Sequence, residues 1–155
     1  MLSNIQIDRY YSHEPHYGGC MAQASLKKAQ NGKFYILNLD KPSGPGTHWV
    51  LLSMLNNSPV YFNSFGFPPD EPIIRAVGSR KKIQYSDVDI QPISSEDCGY
   101  YCIAIANELL NGRSFEQALD KFHIKKLNKN DKIAIKLSKR RKKAEIGSGI
   151  PIELF

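Results

Sequence analysis

Three kinds of side chain in this 155-residue sequence could do covalent chemistry together: a thiol, an imidazole and a carboxamide. Cys98 precedes a glycine and opens a run of helical periodicity. A thiol at a helix start meets free amides and the positive end of the dipole, which favour a thiolate. Its own backbone N–H can also face a developing oxyanion, and Gly99 removes a side chain that would crowd a substrate. His48 follows a glycine-rich loop and directly precedes Trp49, so it is an imidazole at the entrance to a strand, suited to act as a base held in one orientation. Gln91 precedes Pro92, seven residues before Cys98, and its side-chain amide is a candidate oxyanion donor. Asn63, in YFNSFGF, falls near the centre of the expected partner of the His48 strand. Cross-strand neighbours come close enough for an amide to orient an imidazole. Each residue alone has a plainer reading: a small apolar group, a structural histidine, a loop glutamine and a turn asparagine.

The elements that must position these groups follow from periodicity. KFYILNL (33–39) and THWVLLSML (47–55) read as strands separated by the loop KPSGPG (41–46), and NNSP turns the second into VYFNSF (60–65) as an antiparallel hairpin. DEPIIRAVG (70–78) predicts a short helix with Asp70 as cap, and KKIQYS and DVDIQ (81–91) predict further strands. From Cys98 the helical spacing runs through Tyr101, Cys102, Ile105 and Leu109 to a stop at Asn111-Gly112. Ser114 and Gln117 form a capping-box pattern for a second helix, and a basic helix is expected over about 129–142. Residues 1–32 read as irregular, with a helix through MAQASLKKAQ, and 144–155 as a tail. Strands followed by helices predict a single α+β domain, long enough to bury roughly two-thirds of its unfolded surface.

Charge divides unevenly. Residues 121–143 hold eleven lysines and arginines and one acidic residue, Asp131, while the remainder is net negative. Such a segment attracts polyanions, and Lys136, Lys139, Arg140, Arg141, Lys142 and Lys143 are its candidate nucleic-acid contacts. The alternative is a solvated amphipathic helix, since Ile133, Ile135 and Leu137 interrupt the charges. No run of about 18 apolar residues is present, so no membrane partner is expected. The opening MLSNIQIDRYYSH lacks the pattern of a secretory signal, and three cysteines are an odd count, so free thiols in a reducing compartment are expected. His13, His16 and Cys20 have ligand-like spacing but no fourth ligand, so no metal is expected.

Taken together, GTHWV, YFNSFGF and QPISSEDCGYYC resemble the adenovirus-type (adenain-like) cysteine proteases and their relatives, the SUMO-deconjugating proteases. In that family His-Trp, an acid or Asn, Gln and Cys-Gly occur in this order. The likeness covers residues 33–111; the seven-residue step from Gln91 to Cys98 is the adenovirus-type spacing, where the SUMO proteases usually have six. The resemblance implies a papain-like thiol protease fold, with a mixed or antiparallel sheet packed on helices and the nucleophile at a helix N-terminus. It implies Cys98 as nucleophile, His48 as base then acid, Asn63 orienting His48, and Gln91 with the Cys98 amide as oxyanion hole. Trp49 and Gly99 would contact substrate and favour glycine beside the scissile bond. Asn63 departs from the adenovirus pattern, which carries an acid there. The implied partners are viral structural precursor polypeptides, cleaved by a monomer in the virion and infected cell, in the nucleus or a cytoplasmic virus factory. No cofactor is needed for the chemistry. DNA is a candidate activator, but a disulfide-linked activating peptide is not expected, because no cysteine lies between Asn63 and Gln91. Two alternatives stand beside this: a protease that removes SUMO- or ubiquitin-like modifiers, and a non-catalytic nucleic-acid-binding protein.

Overall fold

The strand Trp49–Ser53 explains the architecture, because all five of its residues are buried. A strand apolar on both faces must be covered on both. In the computed structural model, which describes residues 1–40, 48–78 and 80–140, it is the centre of a five-stranded mixed sheet. The order is β1 (Tyr17–Ala22), β2 (Phe34–Asn38), β3 (Trp49–Ser53), β4 (Val60–Phe62) and β5 (Gln84–Tyr85). The two central pairings, β2 with β3 and β3 with β4, are antiparallel; the outer two are parallel. The hairpin register pairs Leu51 with Phe62 and Ser53 with Val60, and Asn56 and Asn57 take positive φ in its turn.

Alternation sorts the core. Phe34, Ile36, Trp49, Leu51 and Phe62 pack against α3 (Cys98–Leu110), with α1 (Asn4–Tyr10), α4 (Phe115–Leu119) and α5 (Asn130–Ser138) completing that layer. Tyr35, Leu37, Val50, Leu52 and Tyr61 face the other way, where Ile73, Ala76 and Val77 of α2 (Glu71–Val77) cover them. Every residue of α3 from Cys98 through Glu108 except Tyr100 is buried, as befits the central helix of its layer. The capping box expected at Ser114 and Gln117 forms, and α2 starts at Asp70, whose carboxylate accepts from Gln23 Nε2 instead of capping the helix.

Several expectations change. Residues 1–32 are not irregular: Ser3 and Gln6 form a capping box for α1, and the stretch expected to be helical begins as β1. Pairing with β2 competes successfully with the weak helical pattern there. Only Gln84 and Tyr85 of the expected strands over 81–91 join the sheet. The basic helix ends at Ser138. The loop 41–46, Arg141, Lys142, Lys143 and the tail lie outside the described residues. Among the described residues, no helix is long and apolar enough to cross a membrane.

Candidate active site

His48 is the residue immediately before β3, and Asn63 the one immediately after β4. The antiparallel register brings these two strand ends together, so the pair sits at the edge of the hairpin and not at its centre. There His48 Nε2 lies 2.9 Å from Asn63 Oδ1. The backbone N–H of Phe65 donates to the same Oδ1 at 2.9 Å. A backbone N–H can only donate, so this contact fixes which end of the Asn63 amide is oxygen. Oxygen in turn can only accept, so Nε2 carries the imidazole proton and Nδ1 keeps its lone pair as the basic site. The ring is further held by Phe65, stacked on it with centroids 5.0 Å apart and planes 27° apart.

Cys98 begins α3, and its Sγ accepts from the backbone N–H of Trp49 at 3.4 Å. The thiol is thus fastened to the residue that follows His48. Burial pushes this thiol up, against the pull of the Trp49, Gly99 and Cys98 amides. Burial also lowers His48, against its bond to Asn63. Both shifts favour the neutral forms. Burial thus works against the expected resting thiolate: Cys98 is only 2% exposed, and its desolvation opposes the helix amides.

Gln91 is fully buried and joined to the same corner through Ser64, the neighbour of Asn63. Ser64 Oγ donates to Gln91 Oε1, and the Gln91 and Ile90 amides both donate to the Ser64 carbonyl. The other end of the amide, Nε2, donates to the Ser95 carbonyl at 2.9 Å in the loop that delivers Cys98. Gly66 keeps this arrangement closed. It has φ +79°, and a Cβ there would lie 2.8–2.9 Å from the backbone of Asp87, Val88 and Asp89.

Trp49 and Gly99, the expected substrate contacts, both pack against the N-terminal segment. Trp49 is buried, with its indole Nε1–H donating to the Leu2 carbonyl at 3.0 Å. A Cβ on Gly99 would lie 3.2 Å from Leu2 Cβ and 3.3 Å from Trp49 Cδ1, so packing under the N-terminal segment explains the glycine. Lys136, Lys139 and Arg140 lie on or just beyond α5 and are exposed. Phe65 and Ser64 were not singled out by sequence reasoning; their place beside Asn63 in YFNSFGF was the available signal. Among the described residues, no group of three histidine, cysteine, aspartate or glutamate side chains is placed to hold a metal ion.

Compared with known family profiles and with curated protein sequences, the chain finds no match. Comparison with solved structures does find likenesses. A crystal structure of the selenomethionine form of ASFV pS273R protease superimposes with a TM-score of 0.58 at 18% identity, covering 93% of this chain and 69% of that one. A second crystal structure of ASFV pS273R protease gives a TM-score of 0.56 at 17% identity, covering 89% of this chain and 66% of that one. This chain therefore spans about two-thirds of the length of those proteins. The expected α+β protease-like fold is the fold observed, and it is shared with this ASFV protease.

Proposed function

We propose that the protein is a cysteine endopeptidase of a virus or virus-like element, cleaving structural precursor polypeptides after small residues such as glycine. The observation that carries this is the joined corner. His48 is oriented through Nε2 by an amide oxygen of known identity, while Cys98 Sγ is bonded to the next residue along the chain. The fold shared with a viral protease supports the same reading.

In this mechanism Nδ1 of His48 takes the Cys98 proton as Sγ bonds to the substrate carbonyl carbon. The carbonyl electron pair moves onto oxygen, which the Cys98 amide and the Gln91 side chain stabilise. Collapse breaks the C–N bond, and the imidazolium returns its proton to the leaving amine. Water, activated by the same imidazole, then hydrolyses the thioester. Proton transfer to the imidazole accompanies attack, so these steps do not require a resting thiolate. Asn63 in place of an acid holds the ring without adding charge, in the manner of other Cys-His-Asn sites.

The exposed cations of the basic segment are part of the proposal as a phosphate-binding surface. All eight described lysines and arginines in 121–140 are exposed, and among the described residues none forms an ion pair. The test of the central reading is a peptidase assay on glycine-containing capsid-precursor peptides. Wild-type protein should cleave them and Cys98→Ala should not, with unchanged circular dichroism; normal cleavage by Cys98→Ala would refute it.

A further inference from the structure

The single acidic residue of the basic segment faces the loop that carries the candidate oxyanion donor. Asp131, in the first turn of α5, accepts at one oxygen from Ser95 Oγ at 2.9 Å and from Tyr101 OH at 2.7 Å. Its neighbour Asn130 is fully buried and donates through Nδ2 to the Ile90 carbonyl at 2.7 Å. Residues 130 and 131 thus grip both ends of the segment Ile90–Ser95, which contains Gln91.

The polarity of these bonds decides what the grip does. A carboxylate only accepts, so the one Ser95 hydroxyl proton is committed to Asp131. The Ser95 lone pairs are then left for the Asp97 backbone N–H at 3.2 Å and for Gln91 Nε2 at 3.3 Å. Together with the Ser95 carbonyl, 2.9 Å from Nε2, the loop offers Gln91 acceptors only. At the opposite end of the amide, Ser64 donates to Oε1. The Gln91 side chain satisfies both sides in one orientation, with Oε1 toward Ser64 and Nε2 toward Ser95. The two Ser95 oxygens lie on one residue and share one N–H, which leaves the other for an oxyanion.

We propose that Asp131 is a positioning residue for the oxyanion donor Gln91, acting through Ser95. This rests on the peptidase reading above and adds that α5 supports catalysis by its acidic residue. Removing Asp131 frees the Ser95 hydroxyl to rotate and loosens the turn, so the amide should lose its fixed direction while Cys98 and His48 keep theirs.

Two small probes separate these parts. With p-nitrophenyl acetate, the Cys98 proton passes to His48 as sulfur bonds to the acetyl carbon through an oxyanion, and p-nitrophenolate leaves with its electron pair. Iodoacetamide alkylates the same sulfur, again with the proton passing to His48, loses iodide and forms no oxyanion. Asp131→Ala and Ser95→Ala should each slow acetylation of Cys98 about tenfold or more, relative to wild type. Alkylation of Cys98, read by peptide mass spectrometry, should stay within about twofold of wild type, as the chemistry at sulfur is untouched. Asp131→Asn, which keeps an acceptor oxygen, should recover part of the acetylation rate. Wild-type acetylation rates in both alanine variants, or equal slowing of both reactions, would overturn the positioning role. No acetylation of Cys98 even in wild type would instead overturn the peptidase reading itself. If Asp131→Ala fails to fold, Ser95→Ala alone decides, because it removes the relay and leaves Asp131 with Tyr101.

Discussion

At the hairpin edge, Asn63, Ser64, Gln91 and Cys98 are all buried, and each has a hydrogen-bond partner at a defined atom. On α5 the same chain does the opposite with its polar residues: Lys132, Lys136 and, just beyond the helix, Lys139 and Arg140 are exposed. Yet the inner face of that helix buries Asn130, Ala134, Leu137 and Ser138, at the i, i+4, i+7, i+8 spacing of one stripe. Ser138 and Leu137 offer their carbonyls to Asn107 Nδ2, and Tyr10 OH also reaches the Ser138 carbonyl, tying α1, α3 and α5 together. The contrast teaches where precision comes from. A buried polar group left unpaired costs about 1–3 kcal/mol, so burial forces each site atom into a single arrangement. An exposed cation has water for a partner and is free to serve any phosphate nearby.

Substitutions at the two regions should separate these roles. The largest effect is expected at His48: His48→Ala should reduce peptide turnover about a thousandfold or more, since base and nucleophile act as a unit. Asn63→Ala should cost less, about ten- to a hundredfold, because the ring loses its orientation but remains a base. Asn63→Asp should keep activity and move its pH profile. Burial lowers His48 in the wild-type protein, so the acidic limb of kcat/KM should lie below the ordinary histidine range. A carboxylate at position 63 would favour the imidazolium and move that limb to higher pH. Coincident limbs for the two proteins would mean that residue 63 does not touch the titrating base.

The smallest effect on chemistry is expected from α5. Replacing Lys136, Lys139 and Arg140 by glutamine should leave turnover of short peptides within about twofold, as none belongs to the buried corner. Binding of a fluorescent duplex should weaken, and the slope of log K against log salt should shrink by about 0.9 for each phosphate that is no longer neutralised. An unchanged slope would leave these cations as a solvated face.

How far the molecule could be read from its sequence depended on the range of each interaction. The strand β2, the β3–β4 hairpin, α3 and the capping box at Ser114 rest on neighbours a few residues apart, and periodicity exposes them. The four candidate site residues were legible because each stands beside a local signal: a strand start, a turn or a helix start. The helix α1 carried its own signal in Ser3 and Gln6, but glycine-rich and aromatic neighbours hid it. The packing of Leu2 on Trp49 and Gly99 has no local signal, since Leu2 lies 47 residues from Trp49. Asp131 was legible only as an oddity of charge, since its partners Ser95 and Tyr101 lie 36 and 30 residues away.

The most direct measurement is capture of the covalent intermediate. Wild-type protein mixed with a peptide ester ending in glycine should acquire one acyl group in intact mass spectrometry. Digestion should locate it on Cys98, and His48→Ala should acquire little or none on the same timescale. Acylation confined to Cys20, or equal labelling of Cys98 with and without His48, would contradict the account.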